Sequence, residues 1–268
     1  MKAIIPVGGF GTRFGADGPK ALLKLNDKPI IEHILKKLEG LPVDNIYIAS
    51  NDRYYPNFNN WFFNYTSIKS LKKSESTNLG EAYNLRKGIM LLNDGSTCEE
   101  NRLGQIGNIY HTLNEKQIKF TDDVLIIAGD NIFDFSLAEP YKYFMEKKKI
   151  VNVIYDIKSK EEAKRFGVVL IDKNGLITDF QEKPTEPKSA LISVGIYFFP
   201  GEKLQLFDWY KNNFRNEKNA MDKIGTFFQK CLECCGEEIY GWTVPNSYKW
   251  FDIGSKGVLD EAKEYFRR

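Results

Sequence analysis

The sequence alternates short apolar runs with longer stretches in which apolar residues recur at helical spacing. Apolar runs at 3–7, 45–50, 89–92 and 124–128 indicate buried strands. Between them, residues 29–39 and 104–117 have the pattern of amphipathic helices. Because strands separated by helices favour parallel neighbours, this order predicts an α/β fold, a Rossmann-like and mostly parallel sheet flanked by helices.

The pattern changes after residue 165. Apolar runs at 168–171 and 176–180 flank Asn174-Gly175, a dipeptide typical of a β-hairpin turn, and a further strand is expected at 193–199. These runs predict a small antiparallel β insertion near 166–199. The chain of 268 residues suits one large domain. We expect residues 1–135 and 136–268 to form two halves of that domain.

Composition excludes several classes of protein. Apolar residues make up 42% of the chain, enough for a sizeable core, so the chain is not a disordered tail. Its formal charge of +2 gives no support for nucleic-acid binding. No apolar run is long enough to cross a bilayer. The apolar start is shorter than the core of a signal peptide, so we expect a cytoplasmic protein.

The cysteines do not form a convincing metal site. Cys231, Cys234 and Cys235 cluster late in the chain, but a structural zinc site usually needs two such pairs, and no second pair exists. We therefore expect free thiols on a helix in a reducing compartment.

The first strand runs directly into a glycine-rich segment, Gly8-Gly9-Phe10-Gly11-Thr12-Arg13-Phe14-Gly15, which Pro19-Lys20 follows. Glycines allow a backbone to approach a polyphosphate closely, and two cations on the same loop can bind phosphate oxygens. The segment is not a Walker A loop, because no G-K-[ST] follows the glycines. It is not a Rossmann fingerprint either, because the third glycine of that motif is missing. A tight strand-to-helix turn would explain the glycines alone, but the added cations favour nucleotide phosphates.

Asp130 follows a buried strand, at the edge where ligands bind in open α/β sheets, and Asp252 lies between two aromatic residues and Gly254. Carboxylate oxygens at such a place suit Mg²⁺ on a nucleoside triphosphate. An ordinary turn or cap is the alternative for each aspartate.

The chain resembles the sugar-1-phosphate nucleotidylyltransferases at five places in order. These are G-G-x-G-T-R with P-K-x-L-L-x-L, then I-I-A-G-D-N-I-F at 126–133, the stretch from Phe166 to Pro184, S-V-G-I-Y at 193–197, and W-F-D-I-G at 250–254. In layout the chain is most similar to the thymidylyl- and uridylyltransferases that act on glucose 1-phosphate. The resemblance implies a GT-A-like nucleotidyltransferase fold in which the antiparallel strands form the sugar side.

The resemblance also implies a Mg²⁺-dependent enzyme that joins an NTP (dTTP, UTP or CTP) to a sugar 1-phosphate and releases pyrophosphate. The implied catalytic residues are Arg13, Lys20, Lys183 and Asp130. The implied NTP-binding residues are Val7, Gly8, Gly9, Phe10, Gly11, Thr12, Arg13, Lys20 and Gly104. The implied sugar-phosphate-binding residues are Asn131, Gly167, Glu182, Lys183, Val194 and Gly195. The implied Mg²⁺ ligands are Asp130 and Asp252.

Two other functions stay open on the sequence alone. A cytidylyltransferase for a non-sugar phosphate would share the glycine-rich loop and the lysine. A catalytically silent regulatory subunit would be expected to lose one or more of the implied catalytic residues, all of which are present.

The base-reading segment departs from the family pattern, because the usual glutamine-rich stretch is absent. Gly104 or Gly80 could be the second base-binding glycine, and we favour Gly104 because a helix from it would lead into the strand at 124. The base, the sugar and the oligomeric state are not determined. The polar segment 66–87 holds no strong pattern, and we interpret it as a lid or an oligomer contact.

Overall fold

The computed structural model describes residues 1–11, 18–73 and 88–267. The helices are α1 (Ile30–Lys37), α2 (Tyr55–Lys73), α3 (Gly104–Glu115), α4 (Ala138–Lys147), α5 (Lys160–Ala163), α6 (Gln205–Phe214), α7 (Ile224–Cys235) and α8 (Lys256–Tyr265). The strands are β1 (Lys2–Pro6), β2 (Lys24–Leu25), β3 (Lys28–Pro29), β4 (Asn45–Ser50), β5 (Ile89–Asn93), β6 (Val124–Ile127), β7 (Asn131–Phe133), β8 (Ile150–Asp156), β9 (Gly167–Ile171), β10 (Ile177–Glu182), β11 (Leu191–Phe199), β12 (Ile239–Thr243) and β13 (Trp250–Asp252).

Nine of the described strands form one mixed sheet. Its main order is β10-β9-β11-β6-β1-β4-β5, with β8 and β12 attached through β11. The strands β6, β1, β4 and β5 run parallel, as the alternation of strands and helices predicts. The predicted fold class is therefore confirmed.

The predicted antiparallel strands near 166–199 are also present, and they continue the main sheet. β11 pairs antiparallel with β6, β8 and β9, and β9 pairs antiparallel with β10. The register of β11 against β8 shifts between Ser193 and Tyr197, where Gly195 has a φ of +75°. This bulge turns the backbone of β11 toward the end of β6.

Two hydrophobic clusters cover the two faces of the sheet. One contains α1 and α2 packed on β1 and β4, and the other contains α3, α6 and α7 packed on the opposite side. On the second face, the rings of Phe199, Phe207 and Phe227 pack together between β11 and the helices, with Phe207 stacked on Phe227. The site described below lies at one edge of this packed sheet, where the ends of several strands meet.

The structure can be compared with two interpretations of the sequence, those of the segment 66–87 and of the cysteines. Residues 66–73 continue α2, so the first part of the segment 66–87 is helical; residues 74–87 lie outside the described residues. Three of the four cysteines lie on α7 and all four are free thiols, as predicted, with Cys231 buried and Cys98, Cys234 and Cys235 exposed. None of the described helices combines the length and the apolar character that crossing a membrane requires.

Candidate active site

The glycine-rich loop follows β1 and is anchored by two side chains from the end of β4 and the start of α2. Asn51 Nδ2 donates to the Gly8 carbonyl at 3.0 Å, and the Tyr54 hydroxyl donates to the Phe10 carbonyl at 2.9 Å. The Tyr54 amide in turn donates to Asn51 Oδ1 at 2.8 Å, which fixes the asparagine. Gly11 has a φ of +65°, a conformation that favours glycine. The hydrogen bonds from Asn51 and Tyr54 therefore reach the loop from one side only, and its other side faces a cleft.

Lys20 and Asp130 meet at the far end of this loop. Lys20 lies on a 3₁₀ turn, and its Nζ is 3.6 Å from Asp130 Oδ2, with both side chains partly exposed. Thr12 and Arg13 lie outside the described residues. One of the two predicted loop cations thus lies beside the predicted metal ligand.

Asp130 and Asp252 are brought together by a strand pair that no pattern in the sequence indicates. β7 and β13 pair antiparallel so that Asn131 lies opposite Asp252, and the Ile253 amide donates to the Asp130 carbonyl at 3.0 Å. Burial and the neighbouring Asp130 charge raise the pKa of Asp252 to about 6. The raised pKa reflects mainly the burial of the Asp252 carboxyl and, after that, the nearby negative charge of Asp130.

These two aspartates fit a Mg²⁺ ion. Hard carboxylate oxygens are the ligands Mg²⁺ prefers, and a cation between them would neutralise the repulsion that contributes, after burial, to the raised Asp252 pKa. Among the described residues there is no group of three or more His, Cys, Asp or Glu side chains that could hold a metal. Mg²⁺ commonly takes only one or two protein carboxylates and completes its coordination with substrate phosphates and water, so a pair suffices.

Asn131 connects the strands β7, β11 and β13 beside the two aspartates. Its Nδ2 donates to the Val194 carbonyl at 2.6 Å, and its Oδ1 accepts from Trp250 Nε1 at 3.1 Å. The side chain is 2% exposed. A Cβ on Gly195 would lie 3.1 Å from Asn131 Nδ2, so only glycine lets β11 come this close. Asn131 thus positions β7 against β11 and β13, next to both aspartates.

Glu182 and Lys183 occupy the opposite wall, at the end of β10. Glu182 is largely buried, and burial raises the pKa of its carboxyl although Lys183 and Lys223 oppose the shift. Lys223 Nζ lies 3.8 Å from Glu182 Oε1. A Cβ on Gly225 would overlap Glu182 Oε2, so this glycine at the start of α7 makes room for the carboxylate.

Lys183 has an unusual backbone. Its φ is +48°, and its amide donates to the Phe166 carbonyl at 3.0 Å. A left-handed conformation at a non-glycine residue costs free energy and is found disproportionately at functional sites. Lys183 also lowers the pKa of Asp252, so its positive charge is felt at the aspartate pair.

One cavity of about 480 Å³ joins these features. All the predicted site residues that the structure describes line it, namely Val7, Gly8, Gly9, Phe10, Gly11, Lys20, Gly104, Asp130, Asn131, Gly167, Glu182, Lys183, Val194, Gly195 and Asp252. Residues separated by more than 200 positions therefore share one cleft.

Gly104 lies on the cleft wall at the start of α3. Its φ is +73°, and a Cβ there would overlap the Met221 carbonyl oxygen, so close backbone packing explains the glycine. Gly80, the alternative considered from the sequence, lies outside the described residues.

Sequence reasoning missed several polar residues of the cleft. They are Asp94, Arg102, Gln105, Asn108, Arg165, Ser193, Asp222 and Lys223. Asp94 follows β5 as Asp130 follows β6, so its position after a buried strand could have been recognised from the sequence. Ser193 belongs to the S-V-G-I-Y stretch on β11 but was not assigned a role. The remaining residues have no pattern in the sequence, because they reach the cleft from helices and turns placed by tertiary packing.

Comparisons with known proteins give a consistent result. The sequence model of the nucleotidyl transferase family matches residues 2–267. The bifunctional protein GlmU of Methanocaldococcus jannaschii is 30% identical over 99% of this chain and 54% of its own length. The glucose-1-phosphate adenylyltransferase of Bacillus subtilis is 33% identical over 74% of this chain and 52% of its own length. The chain thus spans about half the length of these curated relatives.

A solved structure of UDP-glucose pyrophosphorylase complexed with UDP-glucose shares the fold. Its TM-score is 0.78 at 18% identity, and the match covers 100% of this chain and 99% of the other. The family match over nearly the whole chain confirms the resemblance seen in the sequence. The chain belongs to the nucleotidyl transferase family.

Proposed function

We propose that this chain is a Mg²⁺-dependent nucleotidyltransferase that joins an NTP to a sugar 1-phosphate, with a hexose 1-phosphate as the preferred class. The products are an NDP-sugar and pyrophosphate. The observation that carries the proposal is the single cleft in which the glycine-rich loop and Lys20 form one wall and Lys183 forms another. We further propose that the enzyme is cytoplasmic, where NTPs are abundant and free cysteines stay reduced.

The two halves of the chain have complementary roles in this proposal. Residues 1–135 supply the loop, Lys20 and Asp130, and they hold the triphosphate. Residues 136–268 supply Glu182 and Lys183, which bind the sugar hydroxyls and the acceptor phosphate. Asp252 also comes from the second half, so the metal site joins the two halves.

The proposed reaction is an in-line displacement at the α-phosphorus of the NTP. An oxygen of the acceptor phosphate forms the new bond to that phosphorus, and the bond to the pyrophosphate oxygen breaks. A phosphate monoester is already an anionic nucleophile, so no general base is required. Catalysis then consists of positioning and charge neutralisation.

The cationic side chains carry out both tasks. Lys20 and Arg13 bind the triphosphate and neutralise the charge that develops on the departing pyrophosphate. Lys183 draws the acceptor phosphate toward the NTP against their mutual repulsion. Arg165, which lines the cleft and lowers the Asp252 pKa, adds a fourth positive charge that the sequence did not suggest.

Asp130 and Asp252 would hold Mg²⁺ between the two halves. When bound, the ion supplies positive charge to the phosphate oxygens and makes the α-phosphorus more electrophilic.

The proposal is tested by measuring pyrophosphate release for each NTP crossed with a set of sugar 1-phosphates. Alcohol and amino-acid phosphates are included as acceptors, since they represent the competing cytidylyltransferase activity. We expect release that depends on both a sugar 1-phosphate and Mg²⁺. NTP binding without turnover for any acceptor would instead favour a regulatory subunit.

A further inference from the structure

The wall of the cleft below β5 is placed to contact the base of a bound nucleotide. In the order β10-β9-β11-β6-β1-β4-β5, the glycine-rich loop follows β1 near the middle. Lys183 follows β10 at one side of the sheet, and Asp94 follows β5 at the other. With the acceptor at Lys183 and the phosphates at the loop, the nucleoside of the NTP extends toward Asp94.

Asp94 and Asn108 form the part of this wall that lies against the loop. A Cβ on Gly8 would lie 3.0 Å from Asp94 Oδ2 and 3.0 Å from Asn108 Nδ2. Both side chains line the cleft, and Asn108 is only 2% exposed. A glycine at position 8 therefore lets the loop backbone lie directly against this pair.

Hydrogen bonds fix the polarity of the pair. Asp94 Oδ1 accepts from the amide and the hydroxyl of Ser96, at 2.9 and 2.5 Å. Asp94 Oδ2 accepts from Asn108 Nδ2 at 2.9 Å. A carboxylate can only accept, so it holds the asparagine amide in this orientation. Asn108 Oδ1 is then a buried acceptor that has no hydrogen-bond partner among the described residues.

Arg102 lies on the same wall, but its positive charge is already paired and does not neutralise the Asp94 carboxylate. The guanidinium of Arg102 is engaged by Asp222, with Nη2 2.6 Å from Oδ2, and by Glu99. The partly exposed Asp94 carboxylate is therefore the acceptor that this wall presents to a base, and it pairs best with a hydrogen-bond donor on the base.

Nucleobases differ in the donors that they offer. Cytosine, adenine and guanine carry an exocyclic amino group, whereas uracil and thymine have two carbonyl oxygens around a single N–H. A carboxylate stabilises an amino group and repels a carbonyl oxygen. On the basis of the function proposed above, we propose that Asp94, held in place by Asn108 and Ser96, selects an NTP whose base carries an amino group, CTP, ATP or GTP, over UTP and dTTP.

The decisive variant is Asp94→Asn. The new amide can still accept from Ser96, but its nitrogen would face the nitrogen of Asn108. The Asn108 amide must then turn over to accept from the new nitrogen, so that residue 94 offers the base a donor where it offered only acceptors. The substitution therefore reverses the polarity of the wall with almost no change in volume.

Binding is measured by calorimetry for CTP, ATP, GTP, UTP and dTTP with Mg²⁺ and without acceptor. We expect at least one amino-bearing NTP to bind the wild type more tightly than UTP and dTTP by roughly ten- to a hundredfold. Asp94→Asn should reduce that ratio by about tenfold or more, mainly by improving UTP and dTTP. The control is Asp27→Asn, an exposed aspartate in the β2–β3 turn, which should leave the ratio unchanged.

Two results would overturn the base assignment. One is a wild type that binds UTP or dTTP more tightly than every amino-bearing NTP. The other is an Asp94→Asn variant whose ratio equals that of the wild type while its melting temperature shows that it is folded. If base selectivity is found in binding but no acceptor is turned over, the proposed function fails and the base assignment stands. Folded wild-type protein that binds no NTP would overturn both.

Discussion

Replacing Lys183 with alanine should weaken the sugar phosphate far more than the NTP. In the proposed function, the ammonium group of Lys183 contacts the acceptor phosphate, whereas the triphosphate is held by the loop and by Lys20. The Lys183 amide bond to Phe166 is a backbone contact and survives the substitution. Alanine adopts a φ of +48° no more easily than lysine, so the backbone strain is unchanged.

The size of the effect follows from the hydrogen bond to phosphate that an alanine side chain cannot make. A hydrogen bond to a charged group contributes about 1.5–3 kcal/mol, and each 1.4 kcal/mol is about tenfold in affinity. The KM for the sugar 1-phosphate should therefore rise roughly ten- to a hundredfold. Removal of this positive charge should also raise the Asp252 pKa further, because Lys183 is one of the groups that lowers it.

The assay is steady-state pyrophosphate release with the acceptor varied at saturating NTP, together with calorimetry of NTP binding without acceptor. Lys188→Ala is the matched control, because this lysine pairs with Asp179 outside the cleft at 2.5 Å and follows the same strand. An unchanged acceptor KM and kcat in Lys183→Ala would make Glu182-Lys183 an ordinary solvated pair. A fall in NTP affinity equal to the fall in acceptor affinity would also refute the assigned role.

Three further predictions concern the same site, and a fourth concerns a buried cysteine on α7. Asp130→Asn should keep the fold and lower Mg²⁺-dependent turnover more than about a hundredfold, and full activity at limiting Mg²⁺ in EDTA-treated buffer would contradict the metal assignment. Gly225→Ala should push Glu182 out of its place and raise acceptor KM while NTP affinity measured by calorimetry is kept; an unaffected acceptor KM would mean that the carboxylate does not contact the sugar. The Asp252 pKa is raised from 3.8 to about 6 in the folded, metal-free chain, so the contribution of this group to the free energy of unfolding should fall as pH rises from about 4 to 6. Denaturant titrations in EDTA should show a weaker pH dependence in Asp252→Asn than in the wild type. Identical pH profiles for the two proteins would contradict the raised pKa. Burial raises the pKa of the Cys231 thiol, so a thiol reagent should label the other three cysteines of the native protein quickly and this one only after unfolding.

The parallel part of the sheet could be predicted because its strands are continuous apolar runs. β4 was predicted with its observed bounds, and β1, β5 and β6 within about a residue at either end. Such strands are buried on both faces, so their sequence differs sharply from the helices between them. The hairpin around Asn174-Gly175 was also recognisable, since its turn chemistry is local.

The pairing of β7 with β13 could not be predicted in the same way. Each strand has three residues, and the pairing joins Asn131 to Asp252 across most of the second half of the chain. No periodicity develops in three residues, and no local signal marks a partner so distant. The resemblance to a family pointed to both aspartates, but only the fold explains why they lie together.

The polar residues that hold the loop, and Asn108 which holds Asp94, were missed for a related reason. Asn51, Tyr54 and Asn108 follow a strand or lie within a helix, where asparagine and tyrosine are common for many reasons. Their importance comes from the atoms they meet, such as the carbonyl oxygens of Gly8 and Phe10. Such contacts depend on tertiary packing, and a single sequence does not record them.

The most direct test of the proposed reaction follows the oxygen atoms of the acceptor. A sugar 1-phosphate labelled with ¹⁸O in its non-bridging phosphate oxygens is incubated with the preferred NTP and Mg²⁺, and the products are analysed by mass spectrometry. Attack by the acceptor phosphate on the α-phosphorus predicts that all of the label enters the NDP-sugar and none enters pyrophosphate. Unlabelled nucleoside monophosphate as the main product, or label in pyrophosphate, would contradict the proposed displacement.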